Sequence, residues 1–324
     1  MDTSVILAGR RRVPVVANNV NANHGFTLLE LLIAVVIGSL VIAAVGGLFL
    51  ANTNTFRAVD DSSRLQENGR FALQTIARAV HQAGFAPVDV LQLVKDGKDA
   101  FPSNLDGIAG ATVIAGRDGI GPQNSDTLTL AFRGESRGQM LDCAGRPNTS
   151  PLATTIAALG GPIENKFYVS TANAGAAAGF SLWCDVTVSG TRTGRYELIT
   201  GVESFQVLYG VNSRISTASA TGSATGGVEA DFYTSANNLS GVQFRAIRGL
   251  QVALVLRGAE RSTLDLARTT NTLNLFGSQA DRVTPLYSGT VNADAGAIYT
   301  IQASDQLRTF QVITSNIELR NGAV

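Results

Sequence analysis

The sequence predicts an α+β fold: one long N-terminal helix packed on an antiparallel β-sheet domain with long loops. Three observations carry this. Residues 31–51 form a run of 21 without a charge. From residue 52 to 85 apolar positions recur at helical spacing with no proline. Beyond Pro87 the period changes to the alternation expected of strands, with no return to helical patterning. Strands that follow one helix without βαβ alternation pair antiparallel.

The uncharged run comes first. At about 1.5 Å per residue it reaches across a bilayer core of roughly 30 Å, and the next charge is Arg57. Upstream lie Arg10, Arg11 and Arg12, the one basic triplet in the chain. Basic residues stay on the cytoplasmic side, so the N-terminus is expected inside the cell and the C-terminal body translocated. An ordinary cleaved signal peptide is the competing reading. Against it stand the polar stretch 18–24 between the triplet and the apolar run, and Glu30 within the opening of that run.

The helix is expected to continue past the membrane. Leu65, Ala72, Ile76, Ala79 and Ala83 form an apolar stripe, which the sheet would cover. Arg57, Arg64, Arg70 and Arg78 interleave with Asp60, Asp61 and Glu67, as on a solvated face. Gly84 and Pro87 supply stop signals. This gives a membrane-spanning half at 26–51, an amphipathic half at 52–86 and a globular β-rich domain at 87–324. Strand patterning appears at 127–132, read as half-buried, and at 180–188, 196–209, 250–256 and 309–319. The Gly- and Ser-rich stretch 213–227 reads as a flexible loop, and 90–121 reads as a loop as well.

The residues Gly25-Phe26-Thr27-Leu28-Leu29-Glu30-Leu31-Leu32-Ile33-Ala34 resemble the processing site of type IV pilins and type II secretion pseudopilins. The resemblance implies a cleaved leader at 1–25, longer than the short leaders common in the family. A prepilin peptidase would cut between Gly25 and Phe26 and methylate the new N-terminal Phe26. A side-chain-free Gly25 lets a protease approach the backbone closely. Glu30 is a carboxylate in an apolar helix and calls for a partner. The natural one is the α-amino group that cleavage creates at Phe26, on its own chain or, as proposed for the family, on a neighbouring subunit; Glu30 would then fix assembly register. Gly46-Gly47 stands where major pilins usually carry a helix-kinking proline, which favours a minor subunit; it permits close helix packing or softens the helix locally.

Further segments resemble PilW-type minor pilins: residues 65–72, continued by Ile76-Ala77-Arg78 and Ala83-Gly84-Phe85, then 201–210, 247–257 and 307–321. The resemblance implies a non-enzymatic structural subunit that helps initiate pilus assembly near the filament tip. Its partners would be the major pilin, other minor pilins, the prepilin peptidase, the inner-membrane assembly platform and membrane lipid. A minor pseudopilin of a type II secretion system and a membrane-tethered adhesion or binding module are the alternatives. The protein would reside first in the inner membrane, as a single-pass protein, and then in the pilus at the cell surface.

Composition bounds the chemistry. With 25 basic and 25 acidic residues and no dense basic patch, nucleic acid is not expected as a partner. Two Cys and two His build no zinc site of ordinary spacing, and no metal or cofactor is expected. His81, the one histidine outside the leader, reads as a helix-surface residue and not as a catalytic base. Gly119-Ile120-Gly121 lacks the Lys-Ser/Thr of a phosphate loop and reads as a turn. Cys143 and Cys184 both fall in the body expected to reach an oxidising compartment, so a disulfide between strand and loop is expected.

Overall fold

A computed structural model describes residues 26–87, 101–134, 140–147, 161–173, 179–212, 230, 232–241, 243–261, 271–276 and 297–321. The leader with Gly25 and the arginine triplet, and the loop 213–227, lie outside the described residues. The chain divides into two compact units, Met1–Thr53 and Asn54–Val324. One helix, α1 (Leu28–Gln82), supplies residues to both.

In the first unit the helix packs against no other described residues. Sixteen large apolar side chains between Phe26 and Leu50 are exposed, among them Leu28, Ile42 and Leu48. By length and composition the helix is able to cross a membrane. Its hydroxyls are satisfied internally: Ser39 Oγ donates to the Val36 carbonyl at 2.8 Å and Thr53 Oγ1 to that of Leu50 at 2.9 Å. Hydroxyl groups bonded back into their own helix can sit in hydrocarbon at little cost.

In the second unit a hairpin of β1 (Asn104–Leu105) and β2 (Ile108–Ala109) precedes a five-stranded antiparallel sheet. That sheet runs in chain order: β3 (Ile114–Arg117), β4 (Thr127–Phe132), β5 (Ile163–Thr171), β6 (Phe180–Val188) and β7 (Thr191–Thr200). A four-stranded antiparallel sheet contains β8 (Val202–Val211), β9 (Phe232–Thr234), β10 (Ile247–Arg261) and β13 (Arg308–Glu318), in the order β13-β10-β8-β9. β11 (Thr272–Asn274) and β12 (Ile298–Thr300) form a second hairpin. The expected single sheet is therefore two.

The four-stranded sheet is a middle layer. Phe205, Val207 and Tyr209 on β8, with Leu250, Val252, Leu254 and Leu256 on β10, join one core that includes the helix. The alternate residues Leu208, Ala253 and Val255 face a second cluster with Leu275, Phe276, Tyr299 and Ile301 around the β11–β12 hairpin. Both faces are covered, so the sequence reads there as a nearly continuous apolar run.

The helix stripe is buried as expected, from Leu65 to Ala83. Leu65, Ile76 and Val80 are its large buried side chains, and small residues set the distance. A Cβ on Gly69 would overlap Ile313 Cδ1 and lie 2.8 Å from Leu256 Cδ1, so the helix backbone sits directly on β10 and β13. α1 stops at Gln82; Gly84 follows with φ +74 and donates its N–H to the Ala131 carbonyl at 2.9 Å.

Three sequence readings are corrected. Residues 196–209 are not one strand but parts of β7 and β8, which belong to different sheets. Between them Gly201 takes φ +77, and its carbonyl accepts the Arg257 N–H at 2.8 Å. Asp61 is not on a solvated face. It is buried, and its Oδ1 accepts the Ala259 N–H at 3.1 Å, whereas Asp60 does pair with Arg64 in the open at 3.0 Å. Strand β4 is buried at all six positions, Thr127 and Thr129 included, not half-buried. The stretch 90–121, read as a loop, holds β1 to β3, and β5 carried no recognised signal.

Two features fasten β8 to its surroundings. Just before β4, Asp126 bonds along the part of β8 that β9 leaves free: its N–H donates to the Phe205 carbonyl at 2.8 Å, and its Oδ2 accepts the Val207 N–H at 2.8 Å. At the other end of β8 sits a buried ionic cluster. Arg257 Nε lies 2.6 Å from Glu203 Oε1, and Arg257 Nη1 lies 3.0 Å from Asp305 Oδ1, which Arg308 Nε also approaches at 3.1 Å. Burial pushes the Glu203 carboxyl up from its ordinary value, and the Arg257 guanidinium opposes that shift.

Two outcomes follow, each read by urea unfolding through the fluorescence of Trp183, the single tryptophan. Gly201→Ala forces a side chain into left-handed backbone, with its Cβ 2.8 Å from the Arg257 carbonyl oxygen, and should destabilise by about 2 kcal/mol or more. Unchanged stability would mean that the junction between the sheets is not held this way. Arg257→Met leaves Glu203 buried without its closest cation and should cost about 3–5 kcal/mol. Adding Glu203→Leu should restore much of that loss; a double variant as weak as the single one would refute the pairing.

Candidate functional site

The helix start was read from sequence as a cleavage site followed by a lone carboxylate. Gly25 is outside the described residues; Phe26 is described and is 86% exposed. Glu30 already has partners on its own chain. Its Oε2 accepts the Thr27 N–H at 3.0 Å and the Thr27 hydroxyl at 3.1 Å, while the Glu30 N–H donates to Thr27 Oγ1 at 3.2 Å. This is a capping box, in which a Thr and a Glu three residues on satisfy each other's backbone donors. The signal stood in the sequence as Thr27-x-x-Glu30 and the sequence reading did not use it. Both acceptor bonds fall on Oε2, so the other carboxylate oxygen stays open to a second donor. A negative group in the first turn also complements the helix dipole.

The cysteines are joined: Cys143 and Cys184 form a disulfide with Cα atoms 6.5 Å apart. Cys184 lies on β6 and Cys143 on a tight loop that folds on itself. There Asp142 Oδ1 accepts the N–H groups of Ala144 at 3.0 Å and Arg146 at 2.9 Å, and Asp142 Oδ2 accepts from Arg146 Nε at 2.9 Å. The loop is fastened on both sides as well. Cys143 N–H donates to Asn165 Oδ1 on β5 at 3.3 Å, and Arg78 on the helix reaches the Asp142 carbonyl at 3.4 Å. The bridge thus ties a strand to a loop that touches the helix.

The outer face of the five-stranded sheet carries aromatic residues but no open platform. Arg195 stacks 4.4 Å from the Trp183 ring centre, and Trp183 is only 6% exposed. Tyr168 donates its hydroxyl to Asp185 Oδ1 at 2.8 Å, and burial together with that bond pushes its pKa up to about 12. His81 Nδ1 lies 3.1 Å from the Glu318 carbonyl, a contact that fastens helix to strand. Among the described residues no three His, Cys, Asp or Glu side chains converge as metal ligands do.

Comparison with known proteins agrees with the two ends of the chain. Residues 20–46 match the prokaryotic N-terminal methylation motif, and residues 166–321 match the family of type IV pilus-assembly protein W. The second match takes in a little under half of the chain. The second contains β6, β8, β10 and β13, the strands that carry the disulfide's second cysteine, the ionic cluster and the helix-covering layer. A type IV-like pilin from Thermus thermophilus is similar in structure at 11% identity and a TM-score of 0.40, over 83% of this chain and 99% of its own. No curated protein matches. The PilW domain and the N-terminal methylation motif together support a PilW-type minor pilin with a structural role.

Proposed function

We propose that this chain is processed between Gly25 and Phe26, methylated at Phe26 and built in few copies into a type IV pilus, at or near the tip. The single observation that carries the reading is the helix start. Among the described residues nothing covers the apolar surface around it, and both bonds to its one carboxylate, Glu30, fall on the same oxygen. In hydrocarbon the other oxygen seeks a cationic donor, and cleavage supplies an α-amino group on each neighbouring subunit. The basic triplet upstream favours a cytoplasmic N-terminus, and the disulfide favours a body on the oxidising side of the membrane. The partners of this reading are the prepilin peptidase, the major and other minor pilins, the assembly platform and lipid. No enzymatic step is assigned to it; a subunit that starts a filament works by packing.

Four measurements test this. Intact mass of the membrane-extracted protein should show loss of residues 1–25 and one added methyl group; a mature N-terminus beyond residue 51 would restore the signal-peptide reading. Glu30→Ala should still insert, because removing a charge from lipid favours insertion by up to about 3 kcal/mol, yet it should be depleted from sheared filaments. Recovery at the level of the unaltered protein would refute the pairing. In the same filaments, quantitative mass spectrometry should find this subunit far below the major pilin, and its deletion should leave few pili. Equal abundance, or unchanged piliation on deletion, would overturn the role.

A further inference from the structure

Among the described residues the two main sheets end in four edge strands, and three of these are guarded. β9 is 3 residues long and β3 is 4. β7 carries Arg192 and Arg195, and its register with β6 shifts twice. Shortness, charge and bulges are the devices that keep an edge from pairing. β13 has few of them. It runs for 11 residues without proline or lysine, in unbroken register with β10 from Phe310 to Glu318, and has Val312, Ile313 and Thr314 at its centre, all strong strand formers.

Alongside this edge runs a cleft of about 510 Å³ between the strand and α1, reached by Gln66, Arg70 and Gln74 from the helix and by residues 311–315 from β13. Successive strand residues face opposite ways, so a cleft touched by five in a row opens on the edge of the strand and not on one face. A second cleft of about 510 Å³ continues from Gln74 and Ala77 past Arg78 to Arg320. Three arginines line the two, and no carboxylate does.

We infer that an extended, acidic segment of another pilus subunit docks here. It adds a strand to the β13 edge and sets its carboxylates against Arg70 and Arg320. This rests on the reading of the chain as a filament subunit. Backbone pairing supplies affinity, and the arginines supply choice of partner. A second copy of this chain is the poorer occupant, because pairing β13 with itself would bring two arginine-lined clefts together.

The test uses the full chain in piliated cells, with the photo-crosslinking residue p-benzoylphenylalanine in place of Thr314, which is exposed within the cleft. Mass spectrometry of the adduct should map it to an extended acidic segment of another pilus subunit. Arg70→Glu with Arg320→Glu, two exposed positions, should lower adduct yield about tenfold, equivalent to about 1.4 kcal/mol, while Arg70→Lys with Arg320→Lys should keep most of it. An adduct with a helix, with lipid or with a second copy, no adduct, or a yield indifferent to charge reversal would each overturn the inference. Sheared filaments from the same cells separate the two ideas. A subunit present in filaments without the adduct sinks only this docking site, and a subunit absent from them sinks the filament reading whatever Thr314 contacts.

Discussion

The ladder between β8 and β10 is the interaction on which the second unit depends. Every residue of β8 is buried, and residues 252–256 of β10 are buried with it. A strand pair withdrawn from water on both faces must find cover on both, and each remaining element supplies part of that cover. The helix lies on one face through Leu65, Gly69 and Ile76, and the β11–β12 hairpin closes the other. Asp126 satisfies β8 backbone groups that β9 leaves unpaired. The charges that remain, Glu203 and Arg257, are adjacent to the turn at Gly201 and neutralise each other with Asp305 and Arg308. Removing the ladder would leave the helix stripe and the hairpin with nothing to bury against.

The same helix meets two environments, and its composition changes accordingly. Up to residue 51 large apolar residues point in all directions, which suits a medium as apolar as they are. From residue 57 charges appear, and burial narrows to one stripe. In hydrocarbon there is no hydrophobic force between helices, so large side chains fill the first half. In water the hydrophobic effect operates and close approach to a sheet is favoured, so Ala and Gly occupy the stripe of the second half.

How much of this was legible in the sequence depends on the signal. The helix was legible because an uncharged run and a seven-four-three-four spacing have few other readings, β10 because its apolar run is long, and β13 because strand-favouring residues such as Phe310, Val312, Ile313 and Thr314 cluster in it. The break at Gly201 was not, since Tyr196 to Tyr209 keeps strand composition throughout and one glycine in a strand pattern reads as easily as a bulge. β5 was hidden by Asn165, a polar residue at an inward position that is fully buried because it accepts the Cys143 N–H. Asp61 was misplaced because a carboxylate among arginines looks solvated; what holds it is a backbone N–H 198 residues away, which no local pattern encodes. The capping box was legible but eclipsed by the stronger demand of Glu30 for a cation.

Those two demands on Glu30 do not conflict. Two bonds from Thr27 converge on one carboxylate oxygen, so a single inserted subunit already has its charge partly satisfied and the first helical turn closed. A carboxylate left bare in lipid would add to the cost of insertion before any filament exists. Under the proposed pairing, assembly need not create an environment for Glu30 from nothing; it would supply one donor to the second carboxylate oxygen. Replacing lipid by neighbouring helices changes little for the apolar side chains, and Ser39 and Thr53 are satisfied within their own turns. Glu30 is the only charge between Phe26 and Phe56, so under the pairing proposed above it is the one group in that span that would tell a correct axial register from an adjacent one.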